Sequence, residues 1–333
     1  MGEKMLAKEN LTMIDENLLL DIFKISSPSN KEDKMKAFIK AYLTINTIDF
    51  DTDKMGNIFN LNIKDAPVLS SHMDTVEDVI KDSHLMKYVR IYEDPEYGKY
   101  LRGYGVIGGD DKCGIFIILS LLKKYHNKLN FIFSVNEEHG MTGIKAVVDD
   151  QKFDNVTYGI VLDRRGAGDI ICVDKNYGTK LFEDELKRVG TNFGYKPAAG
   201  ASSDAGYIAE KVSCANLSVG YYNPHTKKEF VILEDMKNAM DYTENIISEL
   251  NSKFAPPAKK TYDYTSGYSS ARTCKICYAS EYSYKAVLKW SVPFKAYICV
   301  ECIGKMNETM KDPDFIKVIE NKVITIPITH EGD

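Results

Sequence analysis

Hydrophobic positions fall into two kinds of run along this chain. Short, nearly continuous apolar stretches recur at NIFNLNI, APVLSS, LNFIFSV, YGIVLD and CANLSVG. Each has the length of a strand, and unbroken apolar character suits a strand covered on both faces. Longer segments with helical spacing lie around and between them: ENLLLDIFKI, KEDKMKAFIKAYL, GIFIILSLLKKYHNK, GIKAVVDDQ and DMKNAMDYTENIISELNSKF. SSPSN separates the first two, with Ser29 or Asn30 as the expected cap of the second helix. Strands alternating with helices predict an α/β domain with a mostly parallel central sheet flanked by helices. HLMKYVRIYEDPEYGKYLRGYG alternates around a Pro/Gly turn instead and predicts a β-hairpin. No internal repeat is visible.

The pattern changes near residue 253. SKFAPPAKKTYDYTSGYSSAR is rich in Pro, Lys, Ser, Tyr and Gly and lacks apolar periodicity, as a linker does. The expected organisation is a main domain over 1–252, a linker over 253–271, a cysteine module over 272–311 and a tail over 312–333. A length of 333 residues accommodates this plan,. The net charge is -5 and no long basic run occurs, so a nucleic-acid partner is not indicated. The first twenty residues hold no apolar core of signal-peptide length. Leu6 stands where an acylation motif at Gly2 needs Ser or Thr. With no apolar run of bilayer length, the expectation is a cytoplasmic protein without a membrane partner.

Chemistry-bearing residues follow the predicted strands. His72 and Asp74 come after APVLSS, Glu137 and Glu138 after LNFIFSV, Asp163 ends YGIVLD, and His225 follows CANLSVGYYNP. Asp110 and Asp111 open the helix GIFIILSLL. In open parallel sheets, functional groups collect at the carboxyl ends of strands. Singly, each has an ordinary explanation: a surface dipeptide, a helix-start acid, a solvated loop, a turn cap. Jointly they would bring several carboxylates to one edge, which is costly unless cations neutralise them. Two His, two Asp and one Glu suit a pair of ions about 3.5–4 Å apart that share one carboxylate.

The stretches SHMDTV, GGDDKCG, NEEHGMTG, LDRRG, SSDAG and NPHTKKEF occur in this order. Together they resemble the tripeptidase T, carboxypeptidase G, aminoacylase and desuccinylase group of co-catalytic zinc peptidases, over about residues 15–250. The resemblance implies a single phosphorylase/hydrolase-like zinc-peptidase domain. It implies His72 and Asp163 on one ion, Glu138 and His225 on a second, and Asp110 bridging both. Asp74 would orient His72. Glu137 would be the general base that takes a proton from a metal-bridging water, which attacks the scissile carbonyl as hydroxide. The implied cofactors are two Zn2+, or Co2+ or Mn2+, and the implied substrate is a short peptide or an acyl-amino acid. The resemblance departs from the group in one respect. Only about sixty residues separate Asp163 from His225, too few for the lid and dimerisation domain inserted there in tripeptidase T. Replacement substrate contacts are sought in Tyr221 or Tyr222, which could donate to an oxyanion, and in Arg164 and Arg165, which could grip a substrate carboxylate.

Cys274-x-x-Cys277 and Cys299-x-x-Cys302, with twenty-one residues between the pairs, predict one structural Zn2+ in a treble-clef or zinc-ribbon-like module. Its expected uses are protein contact, self-association or substrate gating. Cys113, Cys172 and Cys214 lie alone in apolar stretches and are expected in the core. The leading expectation is thus an exopeptidase of the aminopeptidase or tripeptidase kind. A deacylase or carboxypeptidase acting on N-acyl amino acids is the alternative. A non-catalytic protein that recruits a partner through its finger is the reading from another class.

Overall fold

A computed structural model describes residues 13–76, 88–258, 288–291 and 296–299. The chain divides into two compact units, Met1–Lys259 and Lys260–Asp333. In the first unit, an eight-stranded sheet is built from β1 (Asp51–Thr52), β2 (Ile58–Asn60), β3 (Ala66–His72), β6 (Asn130–Ser134), β7 (Val156–Arg164), β8 (Asp169–Ile171), β9 (Lys196–Pro197) and β10 (Cys214–Ser218). Their spatial order is β1-β2-β6-β3-β7-β10-β8-β9. The central four, β6-β3-β7-β10, are parallel, with His72 opposite Ser134 and Asn216 opposite Val161. All four therefore deliver their carboxyl ends to one edge. A smaller antiparallel sheet holds β4 (Arg90–Asp94), β5 (Gly98–Arg102), β11 (Tyr221–Tyr222) and β12 (Phe230–Ile232) in the order β11-β12-β5-β4. β4 and β5 form the hairpin expected from the sequence.

The unbroken apolar runs have a simple cause. Along each central strand, neighbouring residues enter different cores. Leu69, Phe131, Phe133, Ile160 and Leu162 face one core, shared with α1 (Glu16–Phe23), α2 (Asp33–Ile45), α3 (Gly109–Tyr125), α5 (Lys180–Gly190) and α7 (Leu233–Glu249). Val68, Ile132, Val161 and Cys214 face a second core under α4 (Thr142–Asp150) and α6 (Ala205–Ile208). Both faces are buried, so alternation disappears from the sequence. The free thiols of Cys113, Cys172 and Cys214 are buried in these cores. No described helix is long and apolar enough to cross a membrane.

Three local features differ from expectation. Neither Ser29 nor Asn30 caps α2: Glu32 precedes it with no side-chain cap bond, and Ser29 turns to Asp74 instead. Phe254 lies within the segment expected as linker, yet it is buried beside Tyr158 and Phe182. Its N–H donates to Thr157 O and its carbonyl accepts from Ser213 N. The residues between Asp163 and His225 form β8, α5, β9, α6, β10 and β11, so no separate lid stands between the two positions. In the second unit, the described residues form β13 (Leu288–Ser291) paired antiparallel with β14 (Ala296–Cys299). Cys274, Cys277, Cys302 and the tail lie outside the described residues, and Cys299 ends β14.

α3 approaches β7 very closely. A Cβ at Gly114 would meet Leu162 O at 2.3 Å and Asp111 Oδ2 at 2.6 Å. Gly114→Ala is expected to cost about 1–3 kcal/mol through overpacking, read as a lower urea midpoint; an unchanged midpoint contradicts this contact.

Candidate metal centre

β3 ends at His72, β7 carries Asp163, and the two strands are neighbours. Asp110 enters from the start of α3, where the Asp110–Asp111 peptide is cis. His72 Nε2 lies 3.0 Å from Asp110 Oδ1 and 3.6 Å from Asp163 Oδ1. On the other side, His225 Nε2 lies 3.1 Å from Asp110 Oδ2 and 2.7 Å from Glu138 Oε1. Two donor groups result, His72–Asp110–Asp163 and Asp110–Glu138–His225, each with one ligand atom per residue within 4.8 Å of the others. They share Asp110, which offers one carboxylate oxygen to each. Glu138 Oε1 is buried and makes no hydrogen bond among the described residues, despite its proximity to His225. A buried carboxylate oxygen left this way is costly, and a cation between the donors would satisfy it. The mixed imidazole–carboxylate set suits zinc-like divalent ions, so the residues fit a dinuclear centre.

The surrounding bonds hold these donors in place. His72 Nδ1 faces Asp74 O at 2.8 Å, closer than the Asp74 carboxylate at 3.5 Å. The Asp74 carboxylate has other partners: it accepts from Glu137 N at 2.9 Å, Glu138 N at 3.2 Å and Ser29 Oγ at 2.7 Å. It thus ties the Glu137–Glu138 loop to the end of β3. Asn30 N donates to Asn136 Oδ1, and Asn136 N donates to Glu32 Oε1, bracing the same loop from the SSPSN segment. Asn216 brackets Asp163, donating to its carbonyl at 2.9 Å and accepting from its N–H at 3.0 Å. The sequence pointed to Ser29 only as a helix cap, and Glu32 and Asn216 went unnoticed. Asn216 alone left a signal, a polar residue at mid-strand in CANLSVG.

The model of peptidase family M20/M25/M40 matches residues 68–249, more than half of the chain. The chain belongs to this family. It is a family of metal-dependent hydrolases acting on peptides, and its matched region contains every donor named above. Solved structures agree in fold. Aminopeptidase PepT from Bacillus cereus ATCC 10987 is 16% identical with a TM-score of 0.55, over 70% of this chain and 96% of that one. A tripeptidase from Staphylococcus aureus Mu50 is 14% identical with a TM-score of 0.56, over 70% and 96%. The TET1 peptidase of Pyrococcus horikoshii is 14% identical with a TM-score of 0.54, over 71% and 99%. No curated protein matches.

In this M20/M25/M40 domain four of the five donors, Asp110, Glu138, Asp163 and His225, line a cavity of about 380 Å³, and His72 is buried beneath them. Glu137, Tyr221, Arg164 and Arg165 line it as well. Tyr222 does not join them: its hydroxyl donates to Asp235 at 2.6 Å and its ring stacks on Phe230. β-strand alternation turns Tyr221 inward, and its hydroxyl donates to Asp163 Oδ1 at 3.3 Å. The two arginines also part company. Arg164 bonds Asp169 and Ala199 O, whereas the exposed Arg165 side chain has no polar partner among the described residues.

With protein groups alone, burial and the Asp110 charge push Asp163 well above the carboxylate range. Asp110 is held low because His225 and His72 outweigh its burial. Burial would lower His72, but the carboxylates of Asp110, Asp163 and Asp74 raise it. Asp110 and Glu138 raise His225 to about 10. Burial, then the charges of Asp204, Glu138 and Asp110, raise Glu137 to about 8 against the pull of His72. These groups are raised above their unfolded values, 4.5 for Glu137 and 6.5 for His225. Stability from them is complete below those values and is lost as pH rises through about 8 and about 10,. Ion-free protein should therefore lose thermal stability from pH ~5 to ~9. Divalent ions should restore it, most strongly at high pH, where fewer protons compete for the donors. Melting temperatures with chelator and with zinc, cobalt or manganese check this; a chelated melting point that climbs across the range contradicts it.

Proposed function

We propose that this M20/M25/M40 peptidase is an exopeptidase of short peptides that works with two divalent ions, His72 and Asp163 holding one, Glu138 and His225 the other, and Asp110 both. The carrying observation is the pair of donor triads that share the two oxygens of Asp110. Bound ions would supply Lewis acidity and an acidified water. The chain does the rest. Glu137 lines the cavity beside the donors without belonging to either triad, so its carboxylate is free to move a proton from the attacking water to the leaving nitrogen. Bound dications nearby would favour its charged form and draw its elevated pKa back toward the base range. Asp74 holds the Glu137 backbone, so proton transfer starts from a fixed loop,. The Tyr221 hydroxyl lies at the cavity wall and donates to Asp163 Oδ1; turned from Asp163, its proton would steady negative charge on the carbonyl oxygen.

Arg165 favours substrates with a free carboxylate. The main chain beneath it is fixed, since Ser218 Oγ donates to Arg165 O and Gly166 N donates to Tyr221 O, while its guanidinium is uncommitted. Short peptides and N-acyl amino acids both carry such a carboxylate, so deacylation remains the second reading. A peptide-library digest separates them: exopeptidase action trims one end, deacylase action spares peptides, and no turnover of either substrate refutes both. The four cysteines at 274, 277, 299 and 302 are proposed to hold a structural zinc, a reading supported by their spacing and by the hairpin that ends at Cys299. Partner contact or self-association through that module is proposed on the same spacing.

Three outcomes follow from this reading. Glu137→Gln should lower kcat about 100- to 10,000-fold with metal content unchanged; ordinary turnover removes the base assignment. Arg165→Ala should raise KM for free-carboxylate peptides about 10- to 100-fold and leave C-terminally amidated peptides unaffected, whereas equal effects on both would dismiss the clamp. Elemental analysis should give three ions per chain, falling to two in Cys274→Ser.

A further inference from the structure

One buried carboxylate near the centre has no part in the proposed chemistry. Glu229 is fully buried. Its Oε2 accepts from Ile107 N and Gly108 N, each at 2.9 Å, and its Oε1 accepts from Asp110 N at 3.3 Å. We propose that Glu229 is a positioning residue for the metal centre: it gathers the N–H groups of the Ile107–Asp110 turn and so fixes the aim of the carboxylate shared by both donor triads. The proposal rests on the reading of Asp110 as the shared ligand.

The turn is gripped from two sides. Lys112, also fully buried, donates from Nζ to Ile107 O at 3.1 Å and to Phe23 O at 3.3 Å. An anion thus holds the N–H side of the turn and a cation holds a carbonyl on it. This placement matches the electrostatics of a helix start, where free N–H groups attract negative charge. The turn has no slack. Gly108 has φ +71, and a Cβ there would meet Thr75 Cγ2 at 2.6 Å. A Cβ at Gly109 would meet Tyr221 Cβ at 2.8 Å and Glu229 Oε1 at 3.2 Å. Gly109 leaves room for the carboxylate against the backbone, and Gly108 leaves room for Thr75 and Lys112 on the other side of the turn.

Glu229 also lies four positions after His225, and its N–H donates to Thr226 O at 3.1 Å. One short segment therefore supplies a donor of the second triad and the brace of the donor common to both. A disturbance at Glu229 should reach the ions through the direction of Asp110, without touching substrate.

Glu229→Gln tests this, because an amide offers one acceptor oxygen and turns its NH2 toward a backbone N–H. Co2+ is the probe. The variant should bind Co2+ about 10- to 100-fold more weakly with an altered visible absorption spectrum, and kcat should fall while KM changes little. Wild-type Co2+ affinity and spectrum in folded Glu229→Gln overturn the proposal. If that variant does not fold, Glu229→Gln with Lys112→Met removes both buried charges and should show the same loss of Co2+ affinity. Hydrogen exchange on the wild-type protein adds a third arm: the amides of 107, 108 and 110 should be protected, and rapid exchange would overturn the proposal. Asp110→Asn serves as the reference. If it keeps full Co2+ affinity, the reading of the shared ligand fails; if it loses affinity while Glu229→Gln does not, only the present proposal fails.

Discussion

Like charges meet at one edge of the sheet, and the organisation of this molecule follows from how that is tolerated. Asp110, Glu137, Glu138 and Asp163 line a single cavity, and a fifth carboxylate, Asp74, lies behind them fully buried. In a low-dielectric setting such a cluster would take up protons or push apart. Burial first, and then neighbouring carboxylates, push Asp163 and Glu137 above the usual carboxylate range. Two imidazoles offset part of it, one from β3 and one from the loop before β12. The donor geometry, with one oxygen of Asp110 toward each triad, is what a pair of dications would require to neutralise the rest.

Holding repelling groups in register needs a rigid support, and the backbone provides it. Parallel pairing of β6, β3 and β7 sets the spacing of the Glu137–Glu138 loop, His72 and Asp163 within one sheet. Main-chain N–H groups then take up negative charge that would otherwise be unpaired. Asp74 receives those of Glu137 and Glu138, and Glu229 receives those of Ile107, Gly108 and Asp110. Neither carboxylate belongs to a donor triad. Each serves a segment that carries one, so the precision of the centre is lodged in residues beyond it.

Sequence periodicity revealed the strands and helices whose two faces are both buried, because hydrophobic continuity is a strong signal there. Position along the chain picked out the residues that the structure brings together, His72 and Asp163 at the carboxyl ends of β3 and β7, Glu138 and His225 in loops after strands, and Asp110 at the start of α3. Short pieces such as β8, β9 and β11 stayed hidden, being two or three residues long and held by tertiary pairing. The SSPSN segment misled for a physical reason. Ser and Asn are good helix caps, but the same short polar side chains can bond any nearby group, and here Ser29 finds Asp74 across forty-five positions. Tyr221 and Tyr222 were equivalent on paper. Only the pairing of β11 with β12 decides which ring faces the donors and which stacks on Phe230.

The two arginines after Asp163 raise the same issue in electrostatic form. Both line the cavity, yet Arg164 is engaged by Asp169 and the carbonyl of Ala199, while Arg165 keeps its charge unspent. A cation facing a wall of carboxylates would ordinarily collapse onto them. It stays apart from the donors if those carboxylates have already met their counter-charge, which is the arrangement that two bound ions create. The proposed pair of ions and the uncommitted guanidinium would then be consequences of one charge balance. Under the proposed function, bound ions would satisfy the acidic wall, and the positive charge left over at Arg165 would be available to a ligand that brings its own carboxylate. Every described element between Asp163 and His225 belongs to the main domain, so no domain is inserted at that point in the chain, and under the proposed function wall residues such as Arg165 take up the contacts to the ligand.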